Sequence, residues 1–236
     1  MPPTQAVPAT NRLLAALPRK DRQHLLASCE PVELMLADVL GNPGDPIRYV
    51  YFPTDSVVSS VMPIDGGTGL EVRLIGNEGM LGIPLMLGVD VAQFHAVVQK
   101  AGPALRIAAA LFLREFEQSL ALQHQLKRYL YVLMSQLAQT AACNRFHVVE
   151  ERLARLLLMT RDRAHSEAFH ITQELLAQML GVRRVGVTKA AGSLQKKKLI
   201  SYSRGDVRIH DGGGLEAASC SCYRADKEIY ERILHC

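Results

Sequence analysis

The sequence predicts an α+β fold: a β-rich N-terminal segment, a long helix, and a C-terminal unit of two short helices followed by a β-hairpin. Three features of the chain predict it. Short apolar runs separated by Gly, Pro and Asp fill residues 31–107, neither Pro nor Gly occurs from 110 to 161, and a basic amphipathic stretch spans 172–200. A chain of 236 residues suits one large domain or two small ones.

The composition is that of a globular protein with reduced thiols. Apolar residues make up 48% and charged residues 21%, which allows a real core. The N-terminus lacks a basic start followed by an apolar run, and no stretch approaches the ~18 apolar residues that would cross a bilayer. We therefore expect a cytoplasmic protein without a membrane partner. The cysteines are odd in number and scattered, which argues against a secreted disulfide framework: Cys29, Cys143, Cys220, Cys222 and Cys236.

Residues 1–110 are predicted to form a β domain preceded by two short helices. The stretch NRLLAALPRKDRQHLLAS fits helices broken at Pro18. Five runs predict strands: VELML, IRYVYF, SVVSSVM, LEVRLIG and HAVVQ. Turn-forming residues separate them, in GNPGDP at 41–46 and PIDGGTG at 63–69. Strands this short and closely spaced indicate a sandwich, barrel or roll.

Residues 110–161 are predicted to be helical throughout. A stripe recurs there at alternate spacings of three and four: Leu126, Leu130, Leu133, Leu137, Thr140 and Asn144. Such a stripe packs against another helix or surface. It could cover the β domain of its own chain, but the helix is long and the β segment offers limited face. We therefore favour a homodimer mediated by residues 111–148, with this stripe, except Thr140, as its interface.

The stretch TQELLAQMLGVRRVGVTKAAGSLQKKKLI at 172–200 predicts a helix-turn-helix. Thr172 is a good N-cap, and Gly181 stands where a helix needs a positive-φ residue to end. The spacing of this motif is present: alanine at 177, glycine four residues later at 181, and valine six residues after that at 187. The inward face of the second helix, at about 183–197, is predicted to be Val187, Ala190 or Ala191, and Leu194.

The second helix and the residues after it carry an excess of positive charge. Between 183 and 204 there is no Asp or Glu, whereas seven cations occur: Arg183, Arg184, Lys189, Lys196, Lys197, Lys198 and Arg204. This is the footprint of a surface that binds a polyanion. Gly186 and Gly192 each cost a helix about 1 kcal/mol relative to alanine, which favours close approach of a partner's backbone. A solvated basic face explains neither feature.

Residues 199–211 predict two short strands around the turn at 204–206, a wing of the kind that contacts phosphates. We therefore predict that the second helix enters the major groove of duplex DNA, where an arginine or lysine at its front can bond guanine O6 and N7. The predicted phosphate contacts lie on both helices and the wing: Thr172, Arg183, Gly186, Thr188, Lys196, Arg204 and Arg208.

The order of these elements resembles the Crp/Fnr superfamily of bacterial transcription regulators from about residue 13 to 210. The matching stretches are PGDPIRYVYFP at 43–53, GNEGMLG at 76–82 and the helix-turn-helix at 172–200. The resemblance implies an N-terminal double-stranded β-roll (jelly-roll-like), a dimerisation helix, and a C-terminal winged helix-turn-helix at 149–236. It also implies a homodimer on palindromic promoter sites and RNA polymerase as a further partner.

The departures from the family limit the effector. Cyclic-AMP-binding members follow the roll glycine with a glutamate and later place an Arg-Ser pair for the phosphate. Here Gly82 is followed by Ile83, and no arginine lies between Arg73 and Arg106. A buried phosphate would lack a counter-charge, so we do not expect cyclic AMP binding. The iron–sulfur branch needs clustered N-terminal cysteines, and no cofactor or metal is predicted; the effector stays open.

The base-reading pattern also departs from the family. Along the recognition helix, members of the family commonly have an arginine, then a glutamate, and later a second arginine. The matching positions here are Arg184, Val185 and Lys189, which are the predicted base-reading residues. Without the glutamate an acceptor for cytosine N4 is lost, whereas valine can meet a thymine methyl. The target sequence should therefore differ from that of the best-known members.

Two other classes of function are weighed against DNA binding. A cupin-like enzyme needs clustered strand His and Glu ligands, and only His95 lies among the strands, so no enzyme is predicted. A small-molecule or redox sensing module could use the basic helix to bind RNA or a protein, but 172–200 contains no aromatic residue for base stacking. Cys220 and Cys222 are predicted on one C-terminal helix, pointing apart, with a packing role and a redox role as the lesser alternative.

Overall fold

The computed structural model describes residues 10–64 and 68–234. Most of the predicted N-terminal start, the tip of the turn at 63–69, and Cys236 lie outside the described residues. Two short helices come first, α1 (Arg12–Ala15) and α2 (Arg19–Ala27), with Pro18 between them as predicted. Asn11 caps α1, since its side chain accepts hydrogen bonds from the Leu13 and Leu14 amides and donates to the carbonyls of Pro53 and Gly79.

Seven strands then form two antiparallel sheets, which confirms the predicted β-rich N-terminal part. In chain order they are β1 (Glu30–Leu34), β2 (Val39–Gly41), β3 (Tyr49–Pro53), β4 (Val57–Ile64), β5 (Thr68–Ile75), β6 (His95–Lys100) and β7 (Gly102–Ala108), with a 3-10 helix at Ile83–Leu87. One sheet has the order β1-β7-β3 and the other β2-β6-β4-β5. Inward side chains of both sheets, such as Val50, Phe52, Val58 and Ile75, are fully buried.

The predicted continuous helix from 110 to 161 is wrong, because the chain forms three helices there. They are α3 (Ala109–Gln118), α4 (Leu120–Phe146) and α5 (Val149–Ala164). The backbone is extended at Ser119, whose hydroxyl accepts from the Leu122 amide and so begins α4 as an N-cap. It is extended again at His147 and Val148. The absence of Pro and Gly therefore did not exclude breaks that capping residues produce.

The C-terminal part contains the predicted helix-turn-helix and wing, together with one strand that the sequence did not predict. The helices are α6 (Gln173–Leu180) and α7 (Arg184–Lys196), and the wing strands are β9 (Ile200–Ser203) and β10 (Asp206–Ile209). A short β8 (Ala168–His170) pairs with β10 and makes a three-stranded sheet of order β8-β10-β9. Leucines of α5, such as Leu153 and Leu157, share one core with both helices.

The predicted single C-terminal helix is also wrong. The chain forms α8 (Gly212–Ala218) and α9 (Cys222–Leu234), and Cys220 lies in the turn between them. Helix α9 packs along α4, and its Tyr230 and Leu234 join the core that α4 forms with the N-terminal domain. Within residues 10–64 and 68–234, no helix is both long and apolar enough to cross a membrane.

Candidate nucleic-acid interface

The turn between α6 and α7 fixes the two helices as the sequence predicted. The Thr172 hydroxyl accepts from the Leu175 amide at 3.2 Å, which caps α6. Gly181 ends α6 with φ 60° and ψ 39°, a left-handed conformation that favours glycine. The Val182 amide then donates to the Ala177 carbonyl at 3.0 Å. Val187 and Leu194 are fully buried, so α7 faces the core with its predicted apolar side.

The opposite face of α7 is exposed and carries most of the predicted contacts. Arg184 is the first residue of the helix and Arg183 its N-cap. Six of the predicted contact residues on α7 are exposed: Arg183, Arg184, Val185, Thr188, Lys189 and Lys196. A Cβ added at Gly186 would meet only Val182, at 3.9 Å, and one added at Gly192 would meet nothing within 4 Å. Neither glycine is required by packing within the chain.

One of the seven cations has an acidic partner outside the segment. The Lys197 ammonium group lies 2.6 Å from a carboxylate oxygen of Glu150 on α5, and their side chains are 55% and 27% exposed. This pairing lowers the pKa of Glu150. Lys197 therefore pairs with α5, although the segment from 183 to 204 itself contains no acidic residue.

The wing presents two of the predicted phosphate contacts. Arg204 and Gly205 form the turn between β9 and β10 with φ 52° and 93°, the pattern of a two-residue hairpin that requires positive φ at both positions. A Cβ at Gly205 would also lie 2.5 Å from His170 Cε1. Arg204 and Arg208 are exposed.

Arg184 lies close to the wing. On β9 the Tyr202 hydroxyl donates to the Ile171 carbonyl at 2.8 Å. Burial raises the pKa of Tyr202, and the Arg184 guanidinium opposes that rise. The exposed contact residues of α7 together with Arg204 and Arg208 are defined here as the α7–wing surface.

The predicted dimer stripe on α4 is only partly exposed. Leu126 is 1% exposed and belongs to the core of its own chain, so its predicted place in a dimer interface is wrong. Leu130 and Leu133 are half-buried against that core, whereas Leu137 and Asn144 are exposed. Five of the exposed apolar residues of α4 follow a neighbouring stripe, defined here as the α4 face: Tyr131, Met134, Leu137, Ala138 and Ala141.

A cavity of about 280 Å³ lies between the N-terminal sheets and α4. Its lining includes Tyr49, Ser60, Arg73, Gly82, Leu133 and Leu137. The Arg73 guanidinium is already engaged, because it donates to the Met80 carbonyl at 2.7 Å and to the Tyr129 hydroxyl at 2.6 Å. The lining is mostly apolar, and its size is near the lower limit of typical small-molecule sites.

The structure brings together one group of residues that the sequence reasoning missed. Cys143, His147, Cys220 and Cys222 each offer a ligand atom, and these atoms all lie within 4.8 Å of one another. The prediction that the last two thiols point apart on one helix is wrong, because Cys220 precedes α9 and only Cys222 lies in it. The signal in the sequence was a cysteine and a histidine four residues apart, on one face of a helix.

Comparisons with known proteins agree with this arrangement. The family model of the Crp-like helix-turn-helix domain matches residues 151–218. No curated protein sequence matches the chain. Among solved structures, FixK2 from Bradyrhizobium japonicum has a TM-score of 0.69 at 12% identity, over 81% of this chain and 98% of that one.

Two further structures are similar. CLP from Xanthomonas campestris, described as a c-di-GMP-responsive global regulator, has a TM-score of 0.67 at 17% identity, over 81% of this chain and 99% of that one. A putative transcriptional regulator of the crp/fnr family from Eubacterium rectale has a TM-score of 0.67 at 16% identity, over 87% and 96%.

Proposed function

We propose that this chain, which has the fold of the Crp/Fnr transcription regulators and a Crp-like helix-turn-helix domain at residues 151–218, binds duplex DNA sequence-specifically as a homodimer. The observation that carries the proposal is the exposed face of α7. It presents Arg184, Val185 and Lys189 to solvent, without an acidic residue from 183 to 204. An α-helix with this face fits the major groove, where base edges and phosphates accept hydrogen bonds from cations.

Base recognition is assigned to the front of α7. Arg184 begins the helix, and a bidentate guanidinium there reaches guanine O6 and N7. Val185 is 59% exposed. Contact of its apolar side chain with water is unfavourable, and an apolar group such as a thymine methyl would remove that contact. Lys189, one turn further, adds a donor for the next base pairs.

Phosphate contacts position the helix but do not read the sequence. We assign them to residues around the α7–wing surface and at the start of α6: Thr172, Arg183, Gly186, Thr188, Lys196, Arg204 and Arg208. The Thr188 hydroxyl donates to Gln173 Oε1 at 2.9 Å or to the Arg184 carbonyl at 3.1 Å, so its contact with DNA requires the hydroxyl to turn. Gly186 leaves room for a sugar–phosphate strand to approach the backbone.

Dimerisation is assigned to the α4 face. Met134 and Leu137 are 62% and 52% exposed, and Tyr131 is 53% exposed. A run of exposed large apolar side chains on one helix is uncommon on a monomer and typical of an interface. Helix-turn-helix dimers bind half-sites about one DNA turn apart, so we expect a palindromic site with that spacing.

The proposed division of the chain follows from these roles. Residues 1–110 form the sensor-like part, 111–148 the dimerisation region and 149–236 the DNA-binding part. The change from the second to the third coincides with the extended backbone at His147 and Val148. RNA polymerase is the expected further partner of a promoter-bound dimer.

Cyclic AMP is not the proposed effector. Ile83 follows Gly82 at the position where cyclic-AMP-binding members have the glutamate that binds the ribose. The Arg73 guanidinium in the cavity is held by the Met80 carbonyl and the Tyr129 hydroxyl. No arginine stands between Arg73 and Arg106, where the family places its phosphate-binding pair, so a phosphate at that place would be desolvated without a counter-charge. Calorimetry of the full chain with cyclic AMP should therefore show no specific heat of binding at micromolar concentration, and a saturable micromolar isotherm would contradict this.

Selection from a random duplex library tests the proposed function directly. The full chain should enrich a two-fold symmetric site, and its affinity for that site should fall steeply with salt because phosphate contacts release counterions. Single-stranded RNA is the matched competitor, since the alternative function would use the same basic helix to bind RNA or a protein. Failure to enrich any duplex motif, or equal affinity for the RNA, would overturn the proposal.

A further inference from the structure

We propose that Cys143, His147, Cys220 and Cys222 form a Cys3His site for a zinc ion where the end of α4 meets the turn between α8 and α9. The three cysteines are 1%, 5% and 0% exposed and form a cluster of their own in the interior. His147 is half-buried at their edge. Three thiolates and one imidazole are a common ligand set of structural zinc sites.

The distances fit a tetrahedral ion. With Zn–S near 2.3 Å and Zn–N near 2.0 Å, two sulfur ligands lie about 3.8 Å apart, and a sulfur and a nitrogen about 3.5 Å apart. Cys143 Sγ is 3.5 Å from Cys220 Sγ, and Cys222 Sγ is 3.5 Å from His147 Nδ1. Every other pair of ligand atoms lies within 4.8 Å, so shifts of about an ångström would complete the geometry.

Local structure explains why two pairs of ligands, distant from each other in the sequence, converge. Cys143 and His147 are one turn apart at the end of α4, and the His147 amide donates to the Cys143 carbonyl at 3.1 Å. Cys220 precedes α9 and Cys222 is its first residue, so the turn aims both thiols at α4. The remaining length of α9 packs along α4, which fixes the turn in place.

The buried side chains near the cluster carry an excess of positive charge, which an anionic group would balance. The side chains of Arg152, Arg155 and Asp226, two positive and one negative, are each less than a tenth exposed. Arg155 pairs with Asp226, and its Nε is buried without a hydrogen-bond partner in the described part of the chain. Three thiolates around Zn²⁺ carry a single net negative charge, which would balance the excess positive charge of this interior.

One neighbouring side chain suits a thiolate at Cys222. Gln139 Nε2 donates to Cys222 Sγ at 2.9 Å, and a thiolate accepts such a bond far better than a thiol. A zinc ion displaces the protons of the thiols that bind it, so its affinity for this site should fall as the pH falls.

A disulfide between Cys143 and Cys220 is the competing explanation of the short Sγ–Sγ distance. A disulfide would use two of the four ligands. It would not explain why Cys222 approaches His147 or why Gln139 donates to Cys222. Zinc uses all four groups. It would join the helix that carries the α4 face to the C-terminal part across the break at His147 and Val148.

Metal binding by the full chain tests the site without reference to DNA. Protein purified with a thiol reductant should contain one zinc ion per chain by mass spectrometry of its metals. After removal of the metal with a chelator, added Co²⁺ should give the intense visible and charge-transfer absorption of a tetrahedral cobalt thiolate. Absence of that spectrum from reduced wild-type protein would overturn the proposal, as would a Cys143–Cys220 disulfide that persists in place of metal uptake.

Single substitutions identify the ligands. Cys143→Ser and Cys222→Ser should weaken Co²⁺ binding by more than ~100-fold, and Gln139→Ala, which keeps all four ligands, by roughly 10–100-fold. Cys29→Ser is the matched control, since Cys29 lies in the N-terminal domain outside the cluster, and its Co²⁺ spectrum should equal that of the wild type. Circular dichroism of each variant separates ligand loss from unfolding, and Gln139→Ala remains a test if a cysteine variant does not fold. Equal loss in Cys29→Ser and Cys222→Ser would contradict the site.

Discussion

Arg155 of α5 and Asp226 of α9 form an ion pair in which each side chain is only 7% exposed. The pair joins α5, the first helix of the C-terminal part, to α9, which packs along α4. Desolvation offsets much of the attraction in such a pair, so its presence alone says little about net stability. Removing one partner is different, because the other charge stays buried without compensation.

Asp226→Asn should therefore lower the free energy of unfolding by about 3–5 kcal/mol, as urea denaturation would measure it. Glu30→Gln is the control, since the Glu30–Arg106 pair lies at the surface with side chains 55% and 30% exposed. Its loss should cost less than about 1 kcal/mol. If the two variants lose equal stability, the buried pair does not have the role given to it here.

Met134→Asp tests the proposed dimer interface. Met134 is 62% exposed in the single chain, so the substitution should leave the protomer folded. In a dimer the carboxylate would be buried opposite its symmetry copy, which should weaken association by at least about 2 kcal/mol, or roughly thirtyfold. Sedimentation at micromolar concentration would measure the change.

The matched control is Leu111→Asp, an exposed apolar position on α3 away from the α4 face, at 41% exposure. It should remain dimeric. A wild-type chain that sediments as a monomer, or a Leu111→Asp variant that dissociates as readily as Met134→Asp, would show that the α4 face is not the interface.

Glu71 should make stability depend on pH. Burial raises the pKa of this carboxyl from 4.5 to about 7, although the Ser59 hydrogen bond and Arg163 oppose the rise. Between these values the folded chain keeps a proton that the unfolded chain releases, so the free energy of unfolding falls as the pH rises. One pKa unit corresponds to about 1.4 kcal/mol, so this group should contribute a loss of up to about 3 kcal/mol from pH 4.5 to 7.

Glu71→Gln keeps the shape of the side chain and removes its titration. The difference in unfolding free energy between wild type and variant, measured at pH 5 and at pH 8, isolates the contribution of Glu71 from that of all other groups. We expect the free energy of unfolding of Glu71→Gln to increase relative to that of the wild type as the pH rises. A difference that does not change with pH would mean that the pKa of Glu71 is ordinary in the folded chain.

Local chemistry made the helix-turn-helix predictable from the sequence. Thr172, Gly181 and Val187 each act through a neighbour a few residues away, by capping, by positive φ or by a helical repeat. The wing hairpin was predictable for the same reason, since Arg204 and Gly205 form its turn. These features need no knowledge of how distant parts of the chain pack.

The errors concern contacts between distant residues. Leu126 and Leu137 belong to one repeat in the sequence, yet one is buried in its own chain and the other is exposed, because the N-terminal domain and α9 cover one side of α4. The break at Ser119 is the exception, because it is local: the Ser119 hydroxyl caps α4 by accepting from the Leu122 amide, and neither Pro nor Gly marks it. Cys143 and Cys220 lie 77 positions apart and meet only because α9 folds back along α4.

Arg184→Ala and Arg204→Ala should separate base recognition from phosphate binding. Arg184 begins α7 and is exposed beside the wing, so its loss should cost about 1–3 kcal/mol on the selected site and relax the preference at one base pair in each half-site. Arg204 lies at the tip of the wing hairpin, so its loss should weaken binding to all sequences alike and reduce the slope of log affinity against log salt by about one unit. Site selection and salt titration of both variants provide the measurement, and each variant is the control for the other. If Arg184→Ala keeps the wild-type base preferences while Arg204→Ala changes them, the two roles are reversed, and the wing rather than the front of α7 recognises the sequence.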